Sequence, residues 1–121
     1  MKSVAIIMVS IFAVATIVLM LQSEKKSNYF INYEAVRKSE LIGKGWVPSF
    51  IPESAHNINE RHRVDVPSIF VDFYFKKNDV SKFEAACDKI SEIKYKCINS
   101  GYPVIINITK GTHAIIRSIE N

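Results

Sequence analysis

The fold prediction starts from the seven residues Ile69–Phe75, which read I-F-V-D-F-Y-F. Successive side chains of an extended chain point to opposite faces, so alternate residues of this stretch share a face. One face receives only apolar side chains: Ile69, Val71, Phe73 and Phe75. This alternation, together with the aromatic and β-branched residues, predicts a strand that is half-buried against a core.

Two further strands are predicted near the C-terminal end, joined as a hairpin. A three-residue loop, Thr109–Gly111, would place Gly111 in the left-handed conformation and pair Ile108 with Thr112. The inward face then carries five apolar residues: Val104, Ile106, Ile108, Ala114 and Ile116. A two-residue loop would turn His113 and Arg117 toward that face, so we expect the three-residue loop.

Two helices are expected to pack against this sheet. Asn32 can cap a short helix that begins at Tyr33 and ends near Leu41. Ser81 and Glu84 have the spacing of a capping box, which indicates the start of the main helix. Its apolar face recurs at helical spacing: Phe83, Ala86, Cys87, Ile90 and Ile93. The residues 99–103, N-S-G-Y-P, are expected to end this helix. Between the two helices, residues 54–66 are expected to form a strand or an irregular edge.

The N-terminal part of the chain is much more apolar than the rest. Hydrophobic residues make up 48% of the 121 residues, and the run Val4–Leu21 contains no charge. Eighteen helical residues span roughly 27 Å, close to the hydrocarbon thickness of a bilayer. We therefore expect an uncleaved transmembrane helix rather than a cleaved secretory signal, with the N-terminus inside and the remainder exported.

These elements predict an α+β fold. An N-terminal transmembrane helix is followed by a small antiparallel sheet of three to four strands, packed against one main helix and a short N-terminal helix. The domains are a transmembrane signal-anchor at 1–23, a polar tether at 24–31 and an exported domain at 32–121. The chain would then be a single-pass protein of the inner membrane that contacts the lipid bilayer through 4–21, with its C-terminal domain on the periplasmic or extracellular side.

The net charge of +4 does not indicate a nucleic-acid partner. Acidic and basic residues alternate along the chain, as in Lys82, Glu84, Asp88 and Lys89. A phosphate backbone is better matched by a continuous basic stripe than by a mixed surface. We expect no nucleic acid, and an unidentified protein as the partner.

A motif in the middle of the chain resembles a known group. Residues 45–55 read G-W-V-P-S-F-I-P-E-S-A, followed by Ile58, Glu60 and His62. Over about residues 33–90 the chain resembles small, uncharacterised, membrane-anchored bacterial proteins with a G-W-[LIV]-P…P-x-S-A-x-x-I-x-E-x-H motif. Where such sequences often have Asp-x-Asn after the histidine, this chain has Val64-Asp65-Val66-Pro67. The resemblance implies an architecture and a bacterial source, but no site.

Few residues qualify as a functional site. The candidate partner-binding patch comprises Trp46, Phe50, His56, Glu60 and His62. On one strand the last three would share a side, yet the spacing of a zinc site is absent. Ser54, His56 and Asp65 lack the nucleophile elbow and oxyanion loop of a hydrolase. We expect no catalytic residues, no metal site and no cofactor.

The two cysteines, Cys87 and Cys97, leave two alternatives open. On a continuous helix they would lie about 15 Å apart along the axis, too far for a disulfide. If the helix ends earlier and the chain turns back, a disulfide becomes feasible, and export to an oxidising compartment would favour it. A buried thiol at Cys87 is the alternative.

The expected function is binding: a membrane-tethered accessory or interaction protein without catalysis. The alternative is an immunity or inhibitor protein that acts against a toxin near the membrane. A third hypothesis is a small hydrolase or metal-dependent enzyme that uses His56, Glu60 and His62.

Overall fold

The computed structural model describes residues 25–110 and 112–119. In this part of the chain, seven antiparallel strands form one sheet in the order β1-β2-β3-β7-β6-β5-β4. The strands are β1 Lys25–Asn32, β2 His56–Arg63, β3 Ile69–Tyr74, β4 Asp88–Ser91, β5 Lys94–Asn99, β6 Tyr102–Thr109 and β7 His113–Ser118. The helices are α1 Tyr33–Lys38, α2 Ser81–Ala86 and the 3₁₀ turn Lys77–Val80.

The core lies on one face of the sheet, here called the inner face. The strand predicted from I-F-V-D-F-Y-F is confirmed as β3, and the inward residues Ile69, Val71 and Phe73 are buried. The apolar residues expected on the inward face of the hairpin are also buried in β6 and β7. The inner face is covered by α1 through Val36, by the connection 39–55 and by α2 through Phe83.

The short helix after Asn32 is confirmed as α1. The side chain of Asn32 accepts a hydrogen bond from the backbone N–H of Ala35 at 3.0 Å, which satisfies one of the free amides of the first turn. The capping box at Ser81 is not formed. Ser81 is already the first residue of α2, and Val80, the capping position, makes no side-chain cap bond.

The predicted main helix is wrong beyond Ala86. The chain turns into β4 and then β5, and Ile90 and Ile93 are 55% and 61% exposed instead of facing the core. The sequence K-Y-K-C-I-N of β5 alternates in the manner of a strand, with Tyr95 and Cys97 buried. Because β5 pairs with β6, Tyr95 and Cys97 both point to the inner face of the sheet and are buried. Residues two apart on a helix do not share a face, so a continued helix would not bury both.

The predicted fold class is therefore wrong in the size of the sheet and in its helices. The sheet has seven strands rather than three to four, and the described helices α1 and α2 have six residues each. Two of the additional strands are β4 and β5. Residues 25–31, expected to be a polar tether, lie in β1, which pairs with β2 along its length.

The transmembrane helix expected over residues 4–21 lies outside the described residues. Among the residues that the structure does describe, no helix is long and apolar enough to cross a membrane. The description of a single-pass membrane protein thus finds no support in this structure.

In the C-terminal hairpin of β6 and β7, the side chains lie on the predicted faces of the sheet, but the two strands pair in a different register from the predicted one. Ile108 pairs with Ala114 rather than Thr112, and Thr109 pairs with His113. The difference is two residues, and because strand side chains repeat every two residues, each apolar side chain stays on the predicted face. The conformation predicted for Gly111 lies outside the described residues, whereas Lys110 adopts a positive φ of 55°.

Cys87 and Cys97 form a disulfide, with 4.5 Å between their Cα atoms. Cys87 follows α2 directly, and Cys97 lies on the inner face of β5. The bond therefore joins the end of α2 to the sheet and closes the loop that contains β4. This strand is exposed at every residue, so burial contributes little to holding it.

We expect reduction of this disulfide to lower the free energy of unfolding by about 2–3 kcal/mol, because the open loop gains conformational entropy in the unfolded chain. Urea unfolding of the full chain with and without a phosphine reductant measures the difference. In a Cys87→Ala, Cys97→Ala double variant, the reductant should have no effect. Identical unfolding midpoints for the oxidised and reduced wild-type protein would contradict the prediction.

Candidate functional site

A carboxylate lies among the apolar residues of the inner face. Glu60 of β2 is fully buried, between Asn28 of β1 and Val71 of β3. The same inward row continues through Ile116 and Ile106. Burial removes the water that would otherwise hydrate a carboxylate, so both of its oxygens need protein partners.

Two neighbouring side chains supply these partners. Asn28 Nδ2 donates a hydrogen bond to Glu60 Oε2 at 2.9 Å, and His62 Nδ1 is hydrogen-bonded to Glu60 Oε1. Across the described part of the chain, no buried side-chain nitrogen or oxygen lacks a partner.

The imidazole of His62 supports the ring of Trp46. The two rings stack with 4.1 Å between their centroids and 13° between their planes. The backbone N–H of Trp46 donates to the carbonyl of Leu41 at 3.0 Å, so the main chain at Trp46 is held as well. Glu60 thus orients His62, and His62 orients the indole.

The other side of Trp46 is attached to the turn between β5 and β6. Asn99 Nδ2 donates to the carbonyl of Gly45 at 2.9 Å. Gly45 has a φ of 82°, and a Cβ at this position would lie 2.8 Å from Ser100 Oγ. The backbone conformation therefore favours glycine, and a side chain here would also displace the hydroxyl of Ser100.

These contacts form one wall of a cleft of about 320 Å³ at the end of the sheet. Its apolar lining residues include Trp46, Val66, Pro67, Ile69, Tyr102 and Val104. Its polar lining residues include Lys44, Asp65, Asn99 and Ser118. Tyr102 is 53% exposed and Val66 is 43% exposed, so the cleft presents apolar surface to solvent.

One anion is fixed at the rim of this cleft. Arg63 donates to both carboxylate oxygens of Asp65, at 3.0 Å from Nε and 2.6 Å from Nη2. These hydrogen bonds hold the pKa of Asp65 below its usual value, so the side chain is ionised at neutral pH. A ligand in the cleft would meet an ion pair at this rim, beside the apolar wall of Val66 and Pro67.

The structure brings together three of the five residues of the predicted patch. Trp46, Glu60 and His62 are in contact as described. Phe50 is half-buried and packs against the core. His56 lies apart on the outer face, where it pairs with Tyr74, because a β-bulge shifts the register between His56 and Asn59.

The expectation that His56, Glu60 and His62 share one side of a strand is therefore wrong. The bulge includes Asn57, whose φ of 50° is the local departure from extended geometry. In the described ranges, no three His, Cys, Asp or Glu side chains come together as a metal site would require.

Two contributing residues were not predicted. Asn28 lies in the segment expected to be a tether, and its neighbours show no apolar alternation that would indicate a strand. The position of Asn99 could have been predicted from the sequence, because Tyr95, Cys97 and Asn99 are alternate residues and therefore share the inner face of a strand. The helix predicted over that region obscured this pattern.

We expect His62→Ala to change the environment of the indole, because the stacking partner that shields one ring face is lost. Trp46 is the only tryptophan, so its emission reports on this site alone. The emission should shift to longer wavelength, and acrylamide should quench it more efficiently. His56→Ala is the matched control and should leave the spectrum unchanged. An unaltered spectrum in His62→Ala would contradict the stacking arrangement.

The described site can be placed against known proteins. The family model of the YbbD head domain matches residues 24–74, a segment that includes Trp46, Glu60 and His62. No curated protein and no solved structure matches the chain significantly. Over β1, α1, β2 and β3, the chain is thus similar to the YbbD head domain.

Proposed function

We propose that this chain is a binding module for a protein partner, and that it holds a short segment of that partner in the cleft beside Trp46. The observation that carries the proposal is the cleft itself, which is lined in part by an indole that His62 and Glu60 hold in place. A ring that is already immobilised loses little conformational entropy when a ligand contacts it.

The size and lining of the cleft favour a segment of a polypeptide. Its volume of about 320 Å³ is at the small end for ligand sites, which usually span about 300–1,000 Å³. Trp46 and Tyr102 supply aromatic surface of the type that dominates binding energy in protein interfaces. Lys44 and the Arg63–Asp65 pair supply a polar rim around this apolar centre.

The polar atoms at the site favour a supporting role over a reactive one. Both oxygens of Glu60 are engaged, one by Asn28 and the other by His62. The hydroxyl of Ser54 accepts a hydrogen bond from the backbone N–H of Lys76 at 3.0 Å. These groups orient their neighbours, which suits a recognition surface.

The Cys87–Cys97 disulfide supports placing the module in an oxidising compartment. Such bonds persist in secreted, periplasmic and extracellular proteins, whereas the cytosol keeps thiols reduced. An exported binding module is therefore the function that this structure favours.

Selection of short random peptides on the immobilised full chain tests the proposal. Peptides that bind should contain an apolar side chain and should change the emission of Trp46 on titration. Val66→Asp should weaken their binding by about tenfold or more, because it introduces a charge into the apolar lining.

Ile90→Asp is the matched control for this variant. Ile90 is also an exposed aliphatic residue, but it lies on β4, away from the lining of the cleft. Its variant should bind the selected peptides as the wild type does. Equal binding by Val66→Asp, or peptides that leave Trp46 emission unchanged, would overturn the proposal.

A further inference from the structure

The outer face of the sheet carries a row of side chains that the cleft does not use. Across neighbouring strands, Ser27 pairs with Arg61, Arg61 with Phe70, Phe70 with Arg117, and Arg117 with Ile105. All five side chains are exposed or half-buried. The centre of the row is Phe70, with one arginine on each neighbouring strand.

Phe70 lines two open hollows at this end of the sheet, which also share Ser68 and Ile69. The first has a volume of about 270 Å³ and is lined in part by Lys25, Lys26 and Arg61. The second has a volume of about 510 Å³ and is lined in part by Ile105 and Arg117. Phe70 belongs to the walls of both, so a chain lying across it would enter both hollows.

The two central arginines differ from the other arginines of the described part of the chain. Arg37 pairs with Glu34, and Arg63 pairs with Asp65. Arg61 instead lies over the ring of Phe70, with its guanidinium carbon 4.2 Å from the ring centroid.

Neither Arg61 nor Arg117 has a carboxylate partner among residues 25–110 and 112–119, and neither hollow has an acidic lining residue there. Within the described residues, the row is thus a cationic surface that no carboxylate neutralises.

We propose that this row binds an extended acidic segment of a partner protein, with one carboxylate at Arg61, another at Arg117, and the intervening part of the segment against Phe70. This site goes beyond the cleft and is independent of it. Arg61 and Arg117 are two strands apart, which is about 10 Å between their backbones. Side chains two residues apart on an extended segment are about 7 Å apart, and the long arginine side chains span the difference.

Charge complementarity is the reason for choosing a carboxylate-bearing peptide. The guanidinium group forms paired hydrogen bonds with a carboxylate, and an aromatic ring beneath it restricts its orientation. Ile105 and Phe70 supply apolar surface for the aliphatic parts of the segment.

A single-stranded nucleic acid fits the surface less well. Base stacking requires an open aromatic face, and Arg61 lies over the face of the Phe70 ring, which leaves the ring edge for the smaller aliphatic groups of a peptide. The next outward residue of β3 is Asp72, which lies 3.6 Å from His113 and would face the phosphates.

The test measures binding of a fluorescent peptide of alternating Glu and Val to the full chain. The peptide should bind, and added salt should weaken its binding because the contacts are exposed ion pairs. Arg61→Gln and Arg117→Gln should each reduce the affinity by about threefold to fivefold, which is the upper part of the range measured for exposed ion pairs. Both side chains are exposed, so each variant is expected to fold, and circular dichroism confirms this.

Lys96→Gln is the matched control, since Lys96 lies in the same row on β5 but lines neither hollow. Its variant should bind the acidic peptide like the wild type.

Four results would overturn the proposal: equal binding of a Gln–Val peptide, wild-type affinity in both arginine variants, tighter binding of oligothymidylate than of the acidic peptide, or an equal loss in Lys96→Gln. Self-association that is lost in Arg61→Gln, without peptide binding, would instead identify a second copy of the chain as the occupant.

Discussion

The structure depends on the hydrogen bonds that the buried carboxylate of Glu60 receives from its neighbours. Glu60 points into the same row as Val71, Ile116 and Ile106, where an apolar side chain would be the simpler solution. Leaving such a group without partners would cost several kcal/mol, so every arrangement of the chain around it must provide hydrogen bonds. Asn28 and His62 meet this requirement.

This requirement links elements that are distant in the sequence. Asn28 brings a polar group from β1 to the inner face, 32 residues before Glu60, so pairing of β1 with β2 also completes the core. His62 carries the effect outward to Trp46 through ring stacking. The connection 39–55, which consists of turns and contains neither a helix nor a strand, is thereby held over the sheet at a defined place. The cleft follows from that placement.

The sequence predicts the parts of the fold that local pattern controls. The alternation in β3, the cap at Asn32 and the faces of the C-terminal hairpin are local signals, and the structure has them. The segment 87–99 carries two conflicting patterns: the apolar residues from Phe83 to Ile93 have helical spacing and predict a helix, whereas Tyr95, Cys97 and Asn99 alternate as in a strand. The pairing of β5 with β6 and the Cys87–Cys97 disulfide favour the strand over the helix, and neither contact can be inferred from the local sequence. The bulge that separates His56 from Glu60 likewise depends on the pairing of β2 with β3, which is non-local. Simple strand alternation therefore predicts that His56, Glu60 and His62 share one side, whereas in the structure only Glu60 and His62 do.

The two proposed surfaces share a boundary without obstructing each other. Ile69 and Ser118 line both the cleft and the second hollow. The hydroxyl of Ser118 accepts a hydrogen bond from the N–H of Ile69 at 2.8 Å and donates to the carbonyl of Pro67 at 3.4 Å. This link fixes the segment 64–67 to β7, so the apolar wall beside Val66 is supported by the strand that carries Arg117. Because the two surfaces lie on opposite faces at the same end of the sheet, one partner chain that passes around this end could contact both. Binding of such a partner to both surfaces would require no conformational change in the domain, because the Ser118 link already holds both surfaces in place.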